Sequence, residues 1–547
     1  MTLMTGSITA GELRDRLIGG GELALLDARE QGVYHRSHLF HAACVPLSHL
    51  ELLLNDLVPR RSTPIVWCDE DGAVDGLAAR AASRATELGW TDNAVLAGGA
   101  TSWAADGGEL YSGVNVPSKA FGEYVEHAFD TPRLPAAEVK ALLDAAARGE
   151  ADIVVLDSRP LGEFRRMSIP TGTDCPGAEL VHRVKEMAPD PETLVIVNCA
   201  GRTRSIIGAQ SLINARLENR VVALENGTMG WELAGFDVAR GEDVHAPDPR
   251  PDARAWAEAA AADVGARVGV DTCTPSEVDI WAADTGRTTY LLDVRTPEEF
   301  EDGHVDESRN APGGQLVQAT DEYVATRGAR LVLIDDNGVR ATMTASWLRQ
   351  LGWHDTMVLA GGVHGIAATG VTLRTGPRAR TPVDRVPTLK VSELAARLGD
   401  EPDSTVVIDL GTSIKYRKRG HIPGAWWGVR SRLDEARAAI GEATTIVLTS
   451  TDGQLAKLAV RDAQAQWPAA DVFALAGGNK GWRHAGNDME PGLERATTTP
   501  DDVWYKPYDH DEPGDVVQQH MHDYLTWEVA LVEQIGRDPT VDFPHFD

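Results

Sequence analysis

One module is written four times along this chain, and a repeat of that length restricts the fold more than composition does. An apolar strand closing on Asp occurs as LALLDAR, IVVLDSR, TYLLDVR and TVVIDLG, so that Asp27, Asp157, Asp293 and Asp409 follow one another at 130, 136 and 116 residues. A second strand follows in each copy, PIVWCDEDG, LVIVNCAGR, RLVLIDDNG and TIVLTSTDG, placing Cys68, Cys199, Asp335 and Ser450 at 41, 42, 42 and 41 residues from that Asp. The third strand ends in a glycine turn, with Gly98, Gly227, Gly361 and Gly477 at 71, 70, 68 and 68 residues. Between the second and third strands run Ala- and Leu-rich stretches of helical pattern, such as LAARAASRATELGW.

Short continuous apolar strands alternating with helices predict an α/β fold, a parallel sheet flanked by helices on both faces in each copy. Ligands of such sheets bind beyond the carboxyl ends of the strands. The modules are read as residues 7–114, 131–241, 271–373 and 387–495, with a C-terminal helical extension over 498–547. Pro- and Gly-rich joints, GEDVHAPDPRPDAR and RTGPRARTPVDRVP, set copy three apart and suggest pairs one-two and three-four. In the extension, Val517, Met521, Tyr524, Leu525, Leu531, Val532 and Ile535 recur at helical spacing. Such a docking helix either clamps the two halves of one chain or joins two chains in a homodimer; PYDHDEPGD ahead of it reads as a solvated connector.

The 547 residues carry 52 basic and 82 acidic side chains, a formal charge of −30, which repels phosphate backbones and anionic membranes. No nucleic acid and no membrane are expected as partners. MTLMTGSITAGELRDRLIGG lacks a cationic and an apolar leader region, and no run of 18 apolar residues occurs, so a cytoplasmic protein is expected. Five cysteines without a CxxC give neither a disulfide framework nor a zinc site, and no cofactor is implied. His520 and His522 lack a third ligand and face apart on a helix, so no metal is predicted.

One corner differs from its siblings. CAGRTRS, residues 199–205, combines a thiol, a permissive glycine and two arginines ahead of a helix, where the other copies have CDEDGAVDG, DDNGVRA and STDGQLA. A nucleophilic cysteine needs its pKa brought down from about 8.5 by cations, a helix N-terminus or converging amides. Arg202 and Arg204 offer charge and planar donor forks, Gly201 lets amides turn inward, and the helix beginning near Ser205 aims free amides at Cys199. Such a cradle suits an anionic sulfur donor.

Asp-x-Arg in three copies, glycine turns ahead of Trp, and HIPGA at 421–425 resemble the rhodanese-like domain, so the chain is similar to four tandem rhodanese-like domains over roughly residues 7 to 495. The resemblance implies a nucleophilic Cys199, carrying sulfur as a persulfide, with Ala200, Gly201, Arg202, Thr203, Arg204 and Ser205 wrapping the substrate. It implies a thiosulfate sulfurtransferase that passes sulfur from a small anionic donor to cyanide or a thiol. Family members acting as phosphatases or arsenate reductases have five residues between Cys and Arg; here four separate Cys199 from Arg204, which favours sulfur. A sulfur-relay or anion-sensing scaffold with little turnover stands as the other reading.

Copies three and four, with Asp335 and Ser450 at the nucleophile position, are expected to be inactive. In copy one Cys68 precedes an acidic loop without Arg, which repels anionic donors, and alignment backward from ELGW puts an acidic residue at the corner instead. Cys68 is read as a buried strand-end cysteine and copy one as inactive. Asp157 and Arg159 recur in copies one and three and are read as structural, as is Trp231 beside Trp103 and Trp482. Glu163, Arg165 and Arg166 are either donor-binding or a solvated run. Cys175 and Cys44, 18 and 17 residues after their Asp, suggest a shared structural slot, with a resolving cysteine as the alternative for Cys175.

Overall fold

The computed structural model of the chain describes residues 6–379, 383, 385–400, 404–510 and 512–545. In module two the strands lie in the order Arg133–Leu134, Val221–Leu224, Leu194–Asn198, Ile153–Asp157, Thr173–Asp174, and every neighbouring pair is parallel. The same order recurs in the other three modules. The central strand Leu194–Asn198 is buried along its whole length, which is why its sequence is a continuous apolar run rather than an alternating one. Cys199 follows it directly, at the carboxyl edge of the sheet.

The strand register settles which residue of each module stands where Cys199 does. Asp27, Asp157, Asp293 and Asp409 stand opposite Cys68, Asn198, Ile334 and Thr449. The position equivalent to Cys199 in module one is therefore Asp69, and Cys68 is a buried strand residue. Backbone bonding agrees: amides of Ala100, Thr228, Val363 and Asn479 donate to the carbonyls of Asp69, Cys199, Asp335 and Ser450 at 2.9, 2.8, 2.9 and 2.9 Å. Asp69 stands 42 residues after Asp27, the same interval that separates Cys199 from Asp157 and Asp335 from Asp293.

In the turn after the third strand, Asn226 (φ 60°) is the counterpart of Gly98, Gly361 and Gly477, all left-handed. Gly227 instead matches Gly99, Gly362 and Gly478. A Cβ on Gly227 would lie 2.5 Å from the Cys199 carbonyl oxygen and 2.6 Å from that of Gly201, so the turn can press on the loop only as glycine. Cys175 likewise moves by one place. Its amide donates to Asp157 O as those of Val45 and Ala311 do to Asp27 and Asp293, so its partner in module one is Val45, not Cys44.

The modules associate differently from the pairing that the linkers suggest. Thr326–Arg327 of module three joins the sheet of module one, antiparallel to Leu23–Asp27, and Tyr290 Oη donates to Leu57 O across the same seam. Buried Arg340 of module three binds Glu179 of module two at 2.9 Å, and Arg430 of module four binds Glu51 of module one at 2.7 Å. Linkers record which copies adjoin in sequence; surface chemistry decides which touch.

Two further pieces bind this array together. The linker helix Val116–Phe129 packs on the helix Thr203–Asn214 that follows the cysteine loop, and a Cβ on its Gly122 would meet Thr203 Cγ2 at 2.7 Å. The tail helix Gly514–Ile535 packs on the linker helix, with Leu531 and Ile535 in one apolar cluster with Tyr111, Val116 and Ala120. The segment ahead of it is no solvated connector: Pro507 and Asp509 are buried, and Asp509 pairs with Arg166. The tail is thus folded back onto its own chain.

Candidate active site

Cys199 sits where the strand Leu194–Asn198 gives way to the loop, 2 % exposed. Its Sγ lies 3.4 Å from Ser205 Oγ, whose own hydrogen is donated to Arg202 O at 2.8 Å. The Ser205 backbone N–H also faces the sulfur. Burial pushes the thiol above its ordinary pKa, against the pull of Arg204 and of Ser205. Of the groups that the sequence offers, Arg204 and Ser205 act on the sulfur, and desolvation outweighs them.

The equivalent positions explain themselves by the same geometry. The amide six residues on, which in module two faces Cys199, donates in module three to the Asp335 carboxylate at 3.1 Å from Ala341, with a second bond of 2.8 Å from Gly338. In module four Ser450 Oγ takes the Ala456 amide at 3.4 Å. In module one Asp69 accepts from Gly72 at 2.7 Å and Ala78 at 2.8 Å. Side-chain oxygens therefore fill the three sibling loops from within. Burial lifts the Cys68 thiol far above the ordinary range, aided by the charge of Asp27.

The predicted loop residues divide. Ala200, Gly201, Arg202, Thr203 and Arg204 line a cavity of about 250 Å³ with Cys199, and Ser205 sits behind the sulfur. Arg204 is the cation that acts on Cys199; its guanidinium bonds Glu163 at 2.9 Å and Gln315 of module three at 3.1 Å. Arg202 contributes backbone to the wall, while its fork is held by Glu123 at 2.6 Å and by Glu126 on the linker helix. Thr203 Oγ1 donates to Glu528 of the tail helix at 2.5 Å.

The remaining walls come from outside the module. Lys119 of the linker helix, Gln315 and Gln318 of module three, and Trp504, Lys506 and Tyr508 ahead of the tail helix all face the cavity. The Lys119 ammonium is brought down to about 8 by burial, and its Nζ lies near 5 Å from the rings of Trp504, Tyr524 and Trp527. Burial raises the Glu163 carboxyl, but Arg204 and Lys506 outweigh it and hold the group well below the usual range. Spacing within one repeat carries no signal for these residues, since other parts of the chain supply them.

Other predicted residues fall into place. Arg159 and Asp157 form a buried pair at 2.7 Å, Arg159 also reaching Met167 O, and the pairs Arg29–Asp27 and Arg295–Asp293 repeat it. Trp231 Nε1 donates to Asp237 O at 2.8 Å, as Trp103 and Trp482 do to Glu109 and Asp488. Of the charged trio after the first strand, Glu163 reaches the cavity, while Arg165 pairs with Asp243 and Arg166 with Asp509. Cys175 lies in an apolar cluster with Leu180 and Val197, its thiol raised far by burial. His520 meets His510 and Glu512, not His522, with ligand atoms within 4.8 Å of one another and a 2.8 Å bond to Glu512.

Four parallel α/β units with a loop-borne cysteine at one carboxyl edge define a class, and the rhodanese-like domain matches at residues 9–106, 136–234, 274–369 and 390–485. The chain belongs to the rhodanese-like family. It resembles, over 99 % of its length and all of that chain, the crystal structure of a thiosulfate sulfurtransferase from Pseudomonas aeruginosa, with 46 % identity and a TM-score of 0.92. It is also 38 % identical over 76 residues, 14 % of the chain, to the uncharacterized protein YqhL of Bacillus subtilis (strain 168). The match spans 59 % of the length of that curated relative. Among the described residues no helix is long and apolar enough to cross a membrane.

Proposed function

We propose that the chain is a thiosulfate sulfurtransferase with one working site, in module two. What carries the reading is the set of four equivalent corners, Asp69, Cys199, Asp335 and Ser450: the thiol among them lines a cavity bearing Arg204, Lys119 and Lys506. The likeness to a thiosulfate sulfurtransferase along nearly the whole chain supports it. The Cys199 thiolate attacks the sulfane sulfur of thiosulfate, the bond to the sulfonate sulfur breaks, and sulfite leaves with the electron pair. Arg204 and the loop amides stabilise the thiolate and the sulfonate oxygens. A nucleophile, cyanide or a thiol, then takes the sulfur and releases Cys199. The five free thiols suit a reducing compartment, and we assign the protein to the cytoplasm.

Incubation with thiosulfate should add about 32 Da, one sulfur atom, to the peptide containing Cys199. Cys199→Ser should abolish both the adduct and turnover, while Cys68→Ser keeps both. Full activity in Cys199→Ser overturns the assignment. An adduct without turnover of free thiosulfate points instead to a relay or sensing scaffold.

A further inference from the structure

Glu528 is an odd residue to find in a site for anions. It projects from the tail helix, is 1 % exposed, and lines the same cavity as Cys199. Its Oε1 accepts from Thr203 Oγ1 at 2.5 Å; its Oε2 is buried and has no hydrogen-bond partner among the described residues. That free oxygen lies over the loop, since a Cβ on Gly201 would come 3.4 Å from it. The ionisable groups that face it are Lys119 and Glu123 on the linker helix, Arg202 and Cys199 on the loop, and Tyr524 on its own helix. Its charge works against a Cys199 thiolate and against an anionic donor. A buried carboxylate oxygen left unbonded in such a place is costly unless a ligand group arrives to bond it.

A thiol is such a ligand. Resting on the sulfurtransferase reading, we propose that Glu528 is the general base for the second half of the cycle and that the acceptor is a low-molecular-weight thiol. Glu528 Oε2 takes the thiol proton as the thiol sulfur attacks the sulfane sulfur on Cys199. A bond forms between acceptor sulfur and sulfane sulfur, and the bond between sulfane sulfur and Cys199 Sγ breaks. Cys199 departs as a thiolate, facing Arg204 and the Ser205 amide, and the acceptor leaves as a persulfide. The proton on Glu528 returns to solvent or to Cys199, so no external oxidant or reductant enters. Lys119, close behind, offsets the carboxylate while the donor is bound.

The test separates this step from the first. Single-turnover transfer from preformed Cys199 persulfide is measured with an alkyl thiol, protonated at the assay pH, and with an aryl thiol already ionised there. Glu528→Gln, which keeps the shape and the bond to Thr203, should slow the alkyl thiol about 100-fold. The aryl thiol, having no proton to give, should escape most of that loss, and the alkyl rate should recover as rising pH ionises the thiol. Glu528→Asp should restore part of the alkyl rate and serves where the Gln variant does not fold. Equal losses with both thiols, flat in pH, assign Glu528 a purely structural role and overturn the proposal. Failure of the wild-type protein to take sulfur onto Cys199 would instead sink the function itself, and is read separately by mass.

Discussion

Gly227→Ala isolates the contact between the turn and the cysteine loop. The new methyl group would lie 2.5 Å from the Cys199 carbonyl oxygen, 2.6 Å from that of Gly201 and 3.0 Å from the Ala200 carbonyl carbon, at a residue whose φ is +55°. Left-handed backbone costs a side-chain-bearing residue about 1–2 kcal/mol, and forcing a methyl into close-packed backbone adds about 1–3 kcal/mol. The expected loss is about 2–5 kcal/mol, and with an m value near 2 kcal/mol/M the transition of module two moves down by about 1–2.5 M urea. Two controls divide strain from clash and fold from site. Gly235→Ala, at φ +82° with nothing within 4 Å of the added carbon, should show the strain alone. Gly362→Ala, whose Cβ would meet Asp335 O at 2.1 Å, should destabilise module three while leaving single-turnover persulfide formation on Cys199 intact. In Gly227→Ala that rate should fall at least tenfold, because the carbonyls displaced belong to the loop that holds the sulfur. If Gly227→Ala costs no more than Gly235→Ala, the packing argument is wrong.

Arg204→Gln removes the cation that pulls the Cys199 thiol down, so that thiol should rise further and the limb on which persulfide formation increases with pH should shift to higher pH. Losing a charge-assisted contact to the donor, worth about 1.5–3 kcal/mol, should also lower kcat/KM for thiosulfate by about 10- to 100-fold; an unchanged profile and affinity would refute the role given to Arg204. Arg340→Met strips a buried guanidinium from Glu179, Glu299 and Asp336 and should cost about 3–5 kcal/mol at the seam of modules two and three, read by urea unfolding, whereas a silent change would refute that seam.

The parts legible in sequence were those the repeat encodes. Apolar strands, the Asp-x-Arg pairs and Cys199 at its corner are local features, compared four times within one chain. What failed was pairing like with like, a cysteine with a cysteine and a glycine with a glycine, where the true counterpart stood one place away. Cys68 was set beside Cys199 because both are cysteines, although the 42-residue interval leads to Asp69, and Asn226, tolerating the left-handed conformation, moved Gly227 by one place. Arg202 illustrates a different limit. Its spacing put it at the cradle, but Glu123 and Glu126, 79 and 76 residues away, hold its side chain. Lys119, Gln315 and Glu528 were illegible for the same reason, because the cavity is assembled by packing between parts of the chain that no repeat relates.

The carboxylates of Asp69 and Asp335 tether a counter-anion to the very amides that would otherwise solicit one. A receptor whose ligand is part of its own chain is saturated at every concentration and answers to none. Titrating in thiosulfate or another small oxyanion should therefore stiffen one quarter of the molecule and leave two of the others deaf, so that hydrogen exchange slows around residues 199–205 and stays unchanged around residues 69–78 and 335–341.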